Sequence, residues 1–190
     1  KLLTGHLAIG HNRYSTSKGT GLAHAQPVVL RPTLAPPRNV CERGTTTADG
    51  LLALAHNGNL PSVTSLLEFL GEKGIPTEGK SDSELMAEAI GYYFDQGKTL
   101  PEAVAAAFPL FTGAFSLLVM TKDTLVAVRD SCGIRPLSIG RLNSGFVFTS
   151  ETCALKPIGA EFVREVLPGE MVAVSERGME ATQIVPPNPK

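Results

Sequence analysis

Three short segments combine residue types able to handle an amino-acid amide. Arg13, in His11-Asn12-Arg13-Tyr14-Ser15-Thr16, directly follows an apolar run, and a guanidinium there offers paired hydrogen bonds to a carboxylate. Its plain alternative is a surface salt bridge. Asn57-Gly58 follows the apolar run Leu51 to Ala55. An amide side chain beside a glycine N–H can stabilise negative charge developing on a carbonyl oxygen, although the same dipeptide is a common hairpin turn. Asp82, in Ser81-Asp82-Ser83-Glu84, is suited to capping a helix and equally to holding an ammonium group at a pocket edge. Together the three supply partners for the carboxylate, the ammonium and the reacting carbonyl of glutamine.

The elements that must position these residues follow from apolar periodicity. Leu7 to Gly10 and Leu51 to Ala55 predict buried strands whose ends present His11-Asn12-Arg13 and His56-Asn57-Gly58. Between them Val28 to Gly50, with Pro32, Pro36, Pro37 and a Thr-rich stretch, predicts a mobile surface loop, and loops of that length are usually functional or disordered. Leu66, Leu67 and Leu70 have helical spacing, predicting a helix over Leu60 to Gly74 with Pro61 in its first turn. A second helix is expected over Asp82 to Phe94, capped by Ser81 or Asp82, and a third over Thr99 to Phe108. From Gly113 the period shortens: Ala114 to Met120, Thr124 to Val128, Leu137 to Gly140, Phe146 to Thr149, Phe162 to Val166 and Met171 to Val174 read as strands of an antiparallel sheet. Helices gathered in one block beside such strands indicate an α+β layered fold rather than a Rossmann-type alternation.

Composition narrows the function classes. The chain has 190 residues, enough for one core, and 17 Lys plus Arg against 18 Asp plus Glu leave a formal net charge of -1. That balance gives no electrostatic reason to expect nucleic acid or an anionic membrane as partner, and favours a small, near-neutral ligand. No apolar run approaches the roughly 18 residues of a membrane helix, and the opening Lys-Leu-Leu-Thr-Gly-His lacks the features of a secretory signal. Cys41, Cys132 and Cys153 are odd in number and without CxxC spacing, so neither a disulfide framework nor a zinc site is indicated, and a cytoplasmic location is expected.

Gly10 to Thr16, Ala55-His56-Asn57-Gly58-Asn59-Leu60 and Ser81-Asp82-Ser83-Glu84 resemble, in order and context, three signature segments of class II glutamine amidotransferases. Within that class, Ala127-Val128-Arg129-Asp130-Ser131-Cys132-Gly133-Ile134-Arg135-Pro136-Leu137 and Ser150-Glu151-Thr152-Cys153-Ala154-Leu155 are similar to the amidophosphoribosyltransferase branch rather than to glucosamine-phosphate synthase or asparagine synthetase. Ile158 to Phe162 and Pro168-Gly169-Glu170 agree. The resemblance covers nearly the whole chain.

It implies a four-layer αββα sandwich of the N-terminal nucleophile hydrolase type, truncated at the N-terminus. It also implies that Arg13 binds the glutamine α-carboxylate with help from Thr16, that Asp82 binds the α-ammonium, and that the Asn57 amide and the Gly58 N–H form an oxyanion hole. The implied parent hydrolyses glutamine to glutamate and ammonia. The ammonia is passed to a phosphoribosyltransferase domain of the same chain, which uses it on phosphoribosyl pyrophosphate to make phosphoribosylamine, the first step of purine synthesis.

Three departures qualify the resemblance. The nucleophile of the family is an N-terminal cysteine whose own α-amine acts as base, and it is absent from Lys1 to Lys190. Cys41, Cys132 and Cys153 cannot replace it, because an internal cysteine has no free amine beside its thiol; Cys132 and Cys153 are expected to be buried sheet and turn residues. The segment as written is therefore expected to be inactive by itself. The Val28 to Gly50 loop is longer than is usual for the family. The domain is expected to span residues 1–185, with Pro186 to Lys190 beginning a linker to the phosphoribosyltransferase domain. That domain would require magnesium, whereas no metal or cofactor is expected in this segment, and an iron–sulfur cluster is left open. A homo-oligomer is expected for the full-length protein. The rival readings are another class II amidotransferase with a different acceptor, and a non-catalytic glutamine-binding module without a nucleophile.

Overall fold

The computed structural model of the chain describes residues 5–12, 25–30 and 51–188. Among these described residues nine strands form two sheets. The larger has the order β1-β2-β3-β4-β8-β9, from β1 (Val28–Leu30), β2 (Leu52–Asn59), β3 (Ala114–Met120), β4 (Thr124–Arg129), β8 (Glu170–Ser175) and β9 (Gly178–Gln183). The smaller has the order β6-β5-β7, from β5 (Ser138–Leu142), β6 (Gly145–Thr149) and β7 (Glu161–Glu165). Every pairing is antiparallel.

Strand alternation gives the larger sheet two apolar faces. Leu52 and Leu54 of β2, Leu117 and Val119 of β3, and Val126 and Val128 of β4 pack with Leu66, Leu70, Met86, Ile90 and Val104 of the helices. The interleaved residues Leu125, Ala127 and Val172 face Leu137, Ile139, Phe148 and Val166 of the smaller sheet. The described residues thus stack as helices, six-stranded sheet and three-stranded sheet, which gives the expected α+β layering; a second helical layer is not among them.

Local sequence explains the helices. α2 (Asp82–Asp95) opens on a capping box: the Ser81 hydroxyl accepts from the Glu84 N–H while the Glu84 carboxylate accepts from the Ser81 N–H over 2.7 Å. In α3 (Leu100–Ala107) Glu102 likewise accepts from the Thr99 N–H, at 2.8 Å, and Pro101 sits in the first turn, where its missing N–H costs nothing. α1 (Thr64–Glu72) starts four residues later than its leucine spacing predicts. Residues 60–63 are used elsewhere: Leu60 N–H donates to the Asp82 carboxylate and the Ser62 carbonyl accepts from Thr112 Oγ1 over 2.6 Å.

Other expectations require correction. Leu7 to Gly10 is not a strand; Leu7 and Ile9 are half-buried and pack against the inter-sheet core without joining a ladder. Val28–Leu30, expected as the start of a loop, is strand β1, while residues 31–50 of that loop, including Cys41, lie outside the described residues. β9 is unanticipated because Gly178–Gln183 is a mostly exposed edge strand with little apolar alternation. Cys153 is exposed, in a short 3-10 turn whose buried anchor is Leu155, and Cys132 is half-buried in the turn after β4.

Candidate active site

β2 runs unbroken through His56, Asn57 and Gly58 to Asn59, so the expected strand end lies inside the ladder. Asn57 is opposite Ser116 and Gly58 opposite Phe115. This rules out the hairpin reading of Asn57-Gly58. Pleating separates the two neighbours: His56 and Gly58 share the helix-facing side with Leu52 and Leu54, and Asn57 points toward the smaller sheet.

The direction of the Gly58 N–H follows from the ladder. Phe115 directs both main-chain groups to Asp130, its N–H to the carboxylate at 3.1 Å and its carbonyl to the Asp130 N–H at 3.0 Å. Gly58 and Phe115 are therefore a non-hydrogen-bonded pair, and the Gly58 N–H turns to the opposite edge of β2. The His56 N–H, two residues earlier, points the same way and donates to Gln26 Oε1 at 2.6 Å. On that edge β1 pairs only with residues 52–54 of β2. Glycine is required here, since at φ 157° an added Cβ would lie 2.5 Å from the Ala114 carbonyl oxygen and 2.7 Å from His56 Nε2.

Asp82 approaches from the helix layer. The capping of α2 is done by Ser81, which frees Asp82, the first helical residue, from that role. Its carboxylate accepts from the Leu60 N–H at 3.2 Å and from the Ser83 N–H at 2.8 Å, tying the start of α2 to the chain just beyond Gly58. Ser83, buried, is a hub: its Oγ lies 3.3 Å from Gln26 Nε2, 3.1 Å from His56 Nδ1 and 3.4 Å from Asp82 Oδ1. Burial holds the His56 imidazole below its ordinary pKa; the Asp82 carboxylate, 3.8 Å away, opposes this, and His11 and Arg135 add to it. His56 is thus a neutral support between strand and helix, with no hydrogen-bond partner for Nε2 among the described residues.

On the other face, Asn57 Nδ2 donates to Ser150 Oγ at 3.1 Å, and Ser116 Oγ, on the residue opposite Asn57, donates to the Pro136 carbonyl at 3.2 Å. The loop containing Pro136 is held by Arg129, 7% exposed, whose guanidinium donates to the carbonyls of Gly133, Arg135 and Val166 and to Glu165. Asp130 completes the knot by accepting from the N–H groups of Cys132 and Gly133. The Arg129 to Pro136 motif is therefore a scaffold, with exposed Arg135 carried close enough to His56 for its charge to be felt.

Asn57, Gly58 and Asp82 are thus brought to one end of β2, while Arg13 and Thr16 lie outside the described residues. Gln26, Ser83 and Ser150 were not singled out as site residues. A polar residue beside a proline, or inside a helix start, carries no sequence signal of a buried partner. Among the described residues no three His, Cys, Asp or Glu side chains assemble a metal site, and no helix is long and apolar enough to cross a membrane.

The glutamine amidotransferase domain family matches residues 44–157, more than half of the sequence, and the chain belongs to that family. Among its relatives are the amidophosphoribosyltransferase of Mycobacterium tuberculosis, 38% identical over 193 residues with 99% of this chain and 34% of that protein covered, and that of Synechocystis, 42% identical over 181 residues with 93% and 34% covered. A solved glutamine phosphoribosylpyrophosphate amidotransferase from B. subtilis, complexed with ADP and GMP, is similar at a TM-score of 0.73 and 34% identity over 92% of this chain and 34% of that one. The fold is accordingly that of the N-terminal nucleophile hydrolases, and the chain spans about a third of the length of the relatives it matches.

Proposed function

We propose that this chain forms the glutaminase site of an amidophosphoribosyltransferase, supplying ammonia that replaces pyrophosphate on phosphoribosyl pyrophosphate. The observation that carries the reading is the placement of Gly58 and Asn57 inside β2, with the Gly58 N–H turned to the part of the strand edge that no described strand pairs with and Asp82 fastened beside it through Leu60. In this reading Asp82 receives the α-ammonium of glutamine, and Arg13, with Thr16, its α-carboxylate. The thiolate of an N-terminal cysteine forms a C–S bond to the carboxamide carbon, and the resulting oxyanion accepts from the Gly58 N–H and from the Asn57 amide. The C–N bond breaks as the nitrogen gains a proton and leaves as ammonia; water then cleaves the thioester to glutamate and free thiol. Cys132 and Cys153 are internal residues whose nitrogens are amides, so neither combines thiol and free amine.

Magnesium belongs, in this reading, to the phosphoribosyltransferase part of the same polypeptide, the whole protein being a homo-oligomer. Three cysteines without a pairing pattern suit a reducing, cytoplasmic compartment. The test is Asn57→Ala in the whole protein. Glutamine-dependent turnover should fall on the order of 10²–10³-fold with little change in KM for glutamine, since an oxyanion donor acts in the transition state, while use of free ammonia persists. A change in KM alone, or in melting temperature alone, would overturn the assignment.

A further inference from the structure

The Asn57 side chain is the one proposed oxyanion donor that can rotate. A main-chain N–H in a ladder is fixed by the strand, but the terminal torsion of an asparagine has a broad, shallow profile. We infer that Ser150 is a positioning residue for this donor, fixing the plane of the Asn57 amide by accepting one of its two hydrogens so that the other is aimed into the site. The inference rests on the oxyanion role proposed above.

Two features support it. The Asn57 Nδ2 to Ser150 Oγ bond, at 3.1 Å, bridges the two sheets across 93 residues of sequence and uses one of the two amide hydrogens, the other having no acceptor among the described residues. Ser150 is itself well held. It follows β6 directly, where Thr149 pairs with Ser138 of β5, and on its other side the Glu151 N–H donates to Thr149 Oγ1 at 3.2 Å. The turn that follows is anchored by buried Leu155, packed so closely on β5 that a Cβ at Gly140 would lie 2.6 Å from it. An acceptor mounted in this way restricts the amide more than solvent would.

The experiment measures glutamate release by the whole protein. Ser150→Ala should lower kcat about three- to tenfold, the range expected for one neutral hydrogen bond, with KM for glutamine within about twofold. Ser150→Thr should restore kcat, and Ser150→Cys, close in size but a weak acceptor, should fall between. In an Asn57→Ala background Ser150→Ala should cost nothing further. If Asn57→Ala lowers kcat while Ser150→Ala does not, or the two losses simply multiply, the positioning role is wrong and the oxyanion reading stands. If Asn57→Ala leaves kcat intact, both fall. A Ser150→Ala protein that loses kcat in step with thermal stability, without rescue by threonine, would make Ser150 structural.

Discussion

The Leu60 N–H donates to the Asp82 carboxylate over 3.2 Å, joining the end of the strand that carries Asn57 and Gly58 to the first turn of the helix that packs beneath it. Strand and helix are thereby fastened at the point where a bound amino acid would meet both. The bond also separates what Asp82 does for the fold from the ligand role proposed for it, because an amide can accept from Leu60 but carries no charge for an ammonium group.

Asp82→Asn should therefore keep the strand-to-helix connection and weaken glutamine. A charge-assisted hydrogen bond contributes about 1.5–3 kcal/mol, so KM for glutamine should rise about one to two decades with a smaller change in kcat. Steady-state kinetics beside a thermal melt checks this; an unstable variant with normal KM would assign Asp82 to the fold alone.

Gly58→Ala places a methyl group 2.5 Å from the Ala114 carbonyl oxygen and 3.0 Å from Phe115 Cα, both backbone atoms of a central strand that cannot yield easily. Overpacking of this kind costs about 1–3 kcal/mol, and glutaminase activity should be lost with it. Gly71→Ala on α1, where an added Cβ meets nothing within 4 Å, should instead be neutral or gain up to about 1 kcal/mol. Chemical denaturation of the pair separates the two environments; equal midpoints would contradict the clash.

Burial depresses the folded-state pKa of His56 below its ordinary value of 6.5, with His11 and Arg135 reinforcing the shift and Asp82 opposing it. The unfolded chain therefore binds a proton that the folded protein resists. The His56 contribution to stability is complete above about pH 6.5 and is lost progressively as pH falls below it, by up to about 1.4 kcal/mol for each pH unit. Melting temperatures between pH 7.5 and 5 should decline, and the decline should be shallower in His56→Gln. An identical slope in the variant would remove His56 as the source.

Arg129 donates to three carbonyls that would otherwise be left without it, whereas its carboxylate partner, Glu165, is 57% exposed. Arg129→Met should cost about 1–3 kcal/mol for a buried carbonyl left without its donor, such as that of Val166, and more where the other two cannot reach water. Glu165→Gln, which breaks only an exposed ion pair, should change stability by less than about 1 kcal/mol. Comparable losses in the two variants would mean that the ion pair, not the carbonyl clamp, holds the loop.

Long periodic segments were legible in the sequence and positions within them were less so. The leucine, methionine and isoleucine spacing of Leu85, Met86, Ala89 and Ile90 locates α2, and alternating apolar residues locate β3 as Ala114 to Met120, because both patterns record burial directly. Gly178–Gln183 carries no such record, being an exposed edge, and Leu7 to Gly10 is apolar for packing without a ladder partner. Within the candidate site, Asn57 and Gly58 are unusual for a strand, whereas Asp82 is an ordinary residue for a helix start and stands out only in combination with them. Gln26, Ser83 and Ser150 join the site through contacts 27 to 93 residues away, which no local pattern reports.

The alternation of β2 has a consequence for how the segment can vary over evolutionary time. His56 and Gly58 belong to the helix side and Asn57 to the inter-sheet side, so a one-residue insertion or deletion between Leu52 and His56 would exchange them. The altered strand could still satisfy its neighbours in the ladder, yet the amide would be delivered to the helices and the imidazole to the space between the sheets. A change of side chain within β2 leaves this alternation in place, whereas the number of residues from Leu52 to Asn59 is a heritable quantity that descendants must keep unchanged to retain the site.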